Sequence, residues 1–437
     1  MLGIIGLILA VACVIFMIWK NWHMAIVSLI GALIVIIFNG MNPVTAITEN
    51  FMSGMSGFAG NWFLLFMLGS IFGKVMGDSG ASVGIANHLL KIVGEKSVVL
   101  VVMLVGLVLS YGGIGTFIIA FSLYPIAVAL FQKADIPKKL IVATIMVCPV
   151  TVCMAMLPGS PSTQNLLPTT YFNTTAYAGP VIGIICSVIM FCAAYLYLNW
   201  QIRRAKAKGE HFAPSEGEVI MDLAAADKGE TPAIWKCYIP IIVLIVFMFV
   251  FQKATPMPAN FAVACAMTLA IICGLILYKD KLKLQKTINE GTVGGLGALF
   301  ATSSIMGFGS VVSASPAYSV VTDALLKLNV GPLGTALIAI NVIAAITGSS
   351  AGGLNIFLSS MGEYLASTGL NLSMLHRVVC IASSGFDAMP HASGMVVCNQ
   401  IAKTSQKDTY IHVFITCAIM PFCCAILACI LGTIGIV

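Results

Sequence analysis

Apolar runs separated by short polar connections dominate this chain. They cover residues 2–18, 23–38, 58–76, 141–156, 177–198, 239–251, 261–277 and 412–437. Each approaches or exceeds the roughly 20 residues that a helix needs to span a bilayer. The run at 2–18 reads as a retained span and not a signal peptide, because no basic residue precedes it and no small-residue cleavage pattern ends it before Lys20. The pattern predicts an all-α polytopic membrane protein, and it is written twice. In the first half an apolar run breaks at residues 110–116, resumes to 131 and breaks again at 157–165. In the second half the matching breaks fall at 347–355 and 384–394. Paired interruptions of corresponding hydrophobic segments point to the substrate site of a secondary transporter. The predicted organisation is a first repeat over 1–200, a linker over 201–232 and a second repeat over 233–437. Each repeat holds about five spans, a re-entrant hairpin and a broken helix.

Charge then orients the spans. The longest polar stretch, 201–231, carries Arg203, Arg204, Lys206, Lys208 and Lys228, and reads as a cytoplasmic linker. With that side fixed, parity places Lys20, Lys91, Lys96, Lys133, Lys138, Lys139, Lys236, Lys279, Lys281, Lys283, Lys286, Lys403 and Lys407 inside as well. Lys253, Lys327 and Arg377 fall outside, an asymmetry that follows the positive-inside rule. An odd number of crossings per half makes the second repeat inverted relative to the first. Both termini are then extracytoplasmic. One hairpin, 97–131, enters from the cytoplasm and the other, 331–365, from outside. Their arms of about 14 to 16 residues are short for full spans, which favours re-entrant hairpins over four more crossings, although counting them as crossings leaves every loop assignment unchanged.

Composition agrees, with 59% apolar and 9% charged residues, against about a quarter charged in soluble domains. The 14 cysteines lie mostly inside apolar runs and form no zinc-like cluster with histidines, so they read as small packing residues. The net charge of +6 is accounted for by its location at the inner loops and implies no nucleic-acid partner. No Walker-type glycine–lysine loop, nucleophile–base pair or cofactor fingerprint occurs, which favours an ion-driven carrier over an ATP pump or an enzyme.

Glycine-rich, hydroxyl-bearing breaks at membrane depth are tolerated where they line a cavity or are buried in protein. The first tip offers Ser110, Gly112, Gly113 and Thr116. The second offers Gly348, Ser349, Ser350 and Asn355. The first unwound helix offers Gly159, Ser160, Ser162 and Asn165. Half-helix N-termini there expose N–H groups that suit a carboxylate, whereas unwound carbonyls suit a cation. The second unwound helix adds Asp387 and His391, the ionisable candidates for substrate binding and proton coupling. They could equally hydrogen-bond each other and brace the break. Arg377 reads as an interfacial anchor or an outer anion guide, and Lys74 pairs with Asp78 four residues on.

Several of these motifs together resemble the gluconate permease (GntP) family of the ion transporter superfamily, over essentially the whole chain. They are residues 141–144, Cys148–Pro149, residues 156–161 with Gln164 and Asn165, residues 376–379, residues 381–387, and Pro390–His391. The resemblance implies uptake of small hydroxy- or aminocarboxylates such as gluconate, 3-hydroxybutyrate or D-serine, coupled to protons. It implies that Asp387 and His391 belong to the functional core. It also implies a homodimer whose hairpin-bearing domain moves past a fixed scaffold. The chain departs from the family pattern at Phe386, where leucine is usual, and at Ala392–Ser393–Gly394, where Asn–Gly is common. A less polar pocket favours a 3-hydroxybutyrate-like monocarboxylate over a sugar acid. Sodium coupling, an exchanger mode and a passive channel remain the rivals.

Overall fold

A computed structural model describes residues 2–20, 22–94, 97–111, 115–215, 231–254, 259–328 and 330–437. Gly112, Gly113 and residues 216–230 of the expected linker lie outside those residues. Among the described residues the chain is helical with no strand. Seven helices are long and apolar enough, by length and composition, to cross a membrane.

Helices α1 (Leu2–Trp19), α2 (Met24–Asn39) and α3 (Pro43–Asp78) lead to the short α4 (Ala81–Val93). A hairpin follows, α5 (Val98–Tyr111) and α6 (Thr116–Lys133). Next come α7 (Lys138–Met156), α8 (Thr163–Phe172) and α9 (Pro180–Ala207). The second half repeats this order. Helices α10 (Ile234–Ala254), α11 (Ala259–Leu277) and α12 (Leu284–Ala314) lead to the short α13 (Pro316–Leu326). The hairpin is α14 (Pro332–Thr347) and α15 (Ser350–Ser367), and α16 (Leu372–Ser383), α17 (Ser393–Ala402) and α18 (Gln406–Thr433) complete the chain. The second arms α6 and α15 run to 18 residues each, longer than the sequence suggests. Helix propagation simply continues past the last apolar residue, to Lys133 in α6 and to Ser367 in α15.

Packing between the halves is reciprocal. Helix α2 lies on α12 and α11 lies on α3, around a central α3–α12 pair. Farther out, α6 lies on α17, α15 lies on α8, and α9 meets α18. Glycine sets the α3–α12 approach. A Cβ on Gly295 would sit 2.5 Å from the Phe66 carbonyl oxygen, and one on Gly291 would sit 2.7 Å from Ile71 Cα. Small residues let helix backbones close where no water is squeezed out to drive association. Gly295→Val therefore forces the central pair apart. Loss of the monodisperse peak in size-exclusion chromatography is the expected outcome, and an unchanged peak and melting temperature would refute this packing.

Polar contacts pin the same pair at one end. Lys74 bridges Asp78 at 3.0 Å, as the spacing predicts, and also Glu290 of α12 at 2.8 Å. Thr287 donates to Asp78 at 2.8 Å. The cysteines are all free thiols, several of them packed in the core, such as Cys148 and Cys186.

Two loop carboxylates outside the spans fasten residues 207–215 to the α6–α7 turn. The His211 ring, 2.7 Å away, holds Asp135 below the usual aspartate range, helped by the Phe212 amide at 2.9 Å. Lys139 does the same for Glu210. A carboxylate with a depressed pKa stabilises the fold above its ordinary value, 3.8 for this aspartate, and the contribution is lost as pH falls through the lowered one. The Phe212 amide should keep its hydrogen-exchange protection at pH 6 and lose it under strongly acidic conditions. Equal protection at both would count against the pairing.

Candidate functional site

Four helices begin at one place. Helix α6 starts at Thr116 after Gly115, α8 at Thr163 after Ser162, α15 at Ser350 after Ser349, and α17 at Ser393 after Ala392. All eight residues line one cavity of about 400 Å³. Each N-terminus carries about half a positive charge and N–H groups without intrahelical acceptors. Ser162 caps its own helix through the Asn165 amide at 3.2 Å, and Ser349 caps through the Gly352 amide at 3.1 Å. The starts of α6 and α17 have no side-chain cap. Their first-turn donors are the ones left for a ligand.

Asp387 is the single ionisable residue among those described around the cavity. Its Oδ1 is buried without a hydrogen-bond partner, and so is the hydroxyl of Thr116. The polar groups around the carboxyl are the Ser350 hydroxyl and the amides of residues 387 and 388. Gln164 donates to Ser350 at 2.5 Å and joins the first break to the second hairpin tip. The remaining wall is apolar. Met146, Val150 and Met154 come from α7, Met395 from α17, Phe117 from α6 and Trp62 from α3. Trp62 meets Phe117 edge-on with ring centres 4.9 Å apart.

Local sequence explains why the chain breaks here. Pro149 opens a π-helical stretch, Cys148–Met156, that runs to the first break. Helix widening of this kind recurs at functional sites. At the second break a Cβ on Gly385 would sit 1.8 Å from the Asn341 side-chain oxygen, so only glycine fits. That oxygen accepts the Phe386 amide at 3.1 Å, tying the unwound segment to α14. Gly348 takes a φ of +62° and would press a Cβ to 3.0 Å from Ala392 Cα, which keeps the hairpin tip close against the break.

The sequence candidates divide. Ser110, Thr116, Ser162, Gly348, Ser349, Ser350 and Asp387 line the cavity. Asn355 does not; it is exposed on the second turn of α15. His391 does not line it either, and no hydrogen bond joins it to Asp387. Its Nε2 faces the Ile346 carbonyl at 3.2 Å, its Nδ1 is buried without a partner, and its ring stands edge-on to Phe308.

Gly159, Ser160 and Asn165 belong to a brace behind the first break. Asn165 donates to the carbonyls of Ser160 at 2.8 Å and Ala176 at 2.9 Å. Its oxygen accepts from Arg377 at 3.0 Å and lies 3.3 Å from His376 Nε2. Gly159 sits at φ +79°, where a Cβ would meet the Tyr177 ring at 2.4 Å. Arg377 is 0% exposed, so it is neither an interfacial anchor nor an outer guide. Sequence reading passed over Trp62 and Phe117, which carry no punctuation in an apolar run, and Gln164, whose place beside Asn165 was the available signal.

Comparison with known proteins bears on this geometry. A GntP family permease model matches residues 2–431. An uncharacterized transporter of Bacillus subtilis, YxjC, is 30% identical over 94% of this chain and 95% of its own length. An uncharacterized permease of Haemophilus influenzae is 23% identical over 88% of this chain and 82% of its own. The match spans both hairpins and both broken helices, and the chain belongs to the GntP family of permeases, multi-pass membrane proteins that carry small substrates.

Proposed function

We propose that this permease is a proton-coupled symporter of small organic anions, of the hydroxycarboxylate kind. The observation that carries the reading is the convergence of four half-helix N-termini on a cavity whose described lining has one carboxyl and no cationic side chain. N–H groups and helix dipoles bind the substrate carboxylate without a fixed counter-charge that would hold it too tightly to release. An ionised Asp387 in the same cavity repels that carboxylate. A proton on Asp387 removes the repulsion, so substrate and proton occupy the site together. A sodium ion shared by Asp387 and nearby hydroxyls is the rival coupling mode. The apolar wall of Trp62, Phe117, Met154 and Met395 favours a short acid with a methyl end, such as 3-hydroxybutyrate, over gluconate.

The reciprocal packing supports an inverted-repeat transporter. In the corresponding elevator-like cycle the hairpins and broken helices carry the site past a homodimeric scaffold built on α3 and α12. Lys138, Lys139, Arg204, Lys208 and Lys407 gather on one side of the protein, which supports a cytoplasmic assignment for that side of a bacterial inner membrane. Titration calorimetry in detergent tests the ligand chemistry. Saturable heat is expected with 3-hydroxybutyrate and none with its methyl ester, whereas equal binding of the ester would remove the anion from the account.

A further inference from the structure

A second cavity, of about 980 Å³, lies between the end of α9, the start of α7 and the start of α18. It is separate from the site above and shares no residue with it. Five lysine and arginine side chains line it against two carboxylates, Glu210 and Asp408. Two of the cations are engaged, Lys138 with Ser215 at 2.7 Å and Lys139 with Glu210. Arg204, Lys208 and Lys407 have no carboxylate within ion-pair distance among the described residues. Arg204 instead lies over the Trp200 ring, 5.4 Å from its centre. That leaves its guanidinium edge free for an oxyanion.

We infer that this cavity binds a phosphate-bearing anion through Arg204, Lys208 and Lys407. Guanidinium groups pair with phosphate oxygens in a planar fork, and lysines add point charge. Two sources share that chemistry, an anionic phospholipid headgroup and free phosphate. Trp200 and Ile411, both more than half exposed, line the same cavity and give acyl chains an apolar surface to lie against. Basic pockets between helix ends that adjoin such a surface hold lipid headgroups in membrane proteins.

The test uses the full chain in a neutral detergent. Phosphatidylglycerol, phosphatidylcholine and inorganic phosphate are titrated separately and binding is followed by thermophoresis. Saturable binding of phosphatidylglycerol but not phosphatidylcholine is expected. Arg204→Gln and Lys407→Gln should each weaken it about fivefold, the effect of one basic residue at an anionic surface. Arg203→Gln, on the same helix but outside the cavity, should leave it unchanged. Binding of inorganic phosphate alone, with the same sensitivity to the two variants, would assign the site to a soluble anion. The proposal is overturned if neither anion binds, if phosphatidylcholine binds as well as phosphatidylglycerol, or if the cavity variants match Arg203→Gln.

Discussion

Asp387→Asn is expected to abolish concentrative uptake while leaving substrate exchange across the membrane intact. Asparagine preserves the shape and polarity of the side chain, so the cavity and its four helix N-termini should survive. It cannot gain or lose a proton, so the carrier would cycle with substrate alone. For one proton per substrate, each pH unit of gradient supports an accumulation ratio of about tenfold. The wild-type protein in proteoliposomes should approach that ratio, and the variant should stop at equal concentrations inside and out. Accumulation by the variant at the wild-type ratio would take the coupling role away from Asp387.

Arg377→Met should instead destroy the fold before transport can be measured. The guanidinium is completely buried and makes four hydrogen bonds, to the carbonyls of Ala176 and Ala178 and to the Asn165 side chain. These acceptors lie about 200 residues away in sequence, in the first half of the chain, so the arginine ties the two broken helices together. Removing it strands the buried Ala178 carbonyl and takes a charge-assisted bond from the Ala176 carbonyl and from the Asn165 oxygen, which keep the Asn165 amide and His376 as partners. Each of the three losses costs about 1–3 kcal/mol. The total of roughly 3–9 kcal/mol is comparable to the stability of an ordinary domain. Detergent-solubilised Arg377→Met is therefore expected as aggregate, and Arg377→Lys as a protein of markedly lower melting temperature, since lysine keeps the charge but not the fork. A melting temperature within a few degrees of wild type for the methionine variant would show the brace to be dispensable.

The two predictions also separate what could be read from the chain and what could not. Breaks were legible because glycine, proline and serine clusters stand out in apolar runs, and that signal is local. Asp387 was legible because a carboxylate within a span is costly wherever it points. Which way a side chain faces is not a local property. His391 has the residue type of a proton carrier, yet packing against α12 and α14 sets its ring edge-on to Phe308 and its Nε2 toward the Ile346 carbonyl. Asn355 follows the second tip in sequence, but one helical turn leaves it exposed. Asn165 was read as a ligand and is bonded instead to Arg377 and to backbone carbonyls. That role depends on a contact between the halves that no spacing in the first half reveals. Trp62 reaches the cavity through the packing of α3 on α6, a tertiary contact in which the Phe121 ring lies 2.8 Å from the Cβ position of Gly69.

The most direct measurement is uptake of labelled 3-hydroxybutyrate into proteoliposomes, with proton and sodium gradients imposed one at a time. Proton-coupled symport predicts accumulation above the external concentration when the proton gradient alone is applied, and none with sodium alone at constant pH. Accumulation that requires sodium, or uptake that never exceeds equilibrium under either gradient, would contradict it.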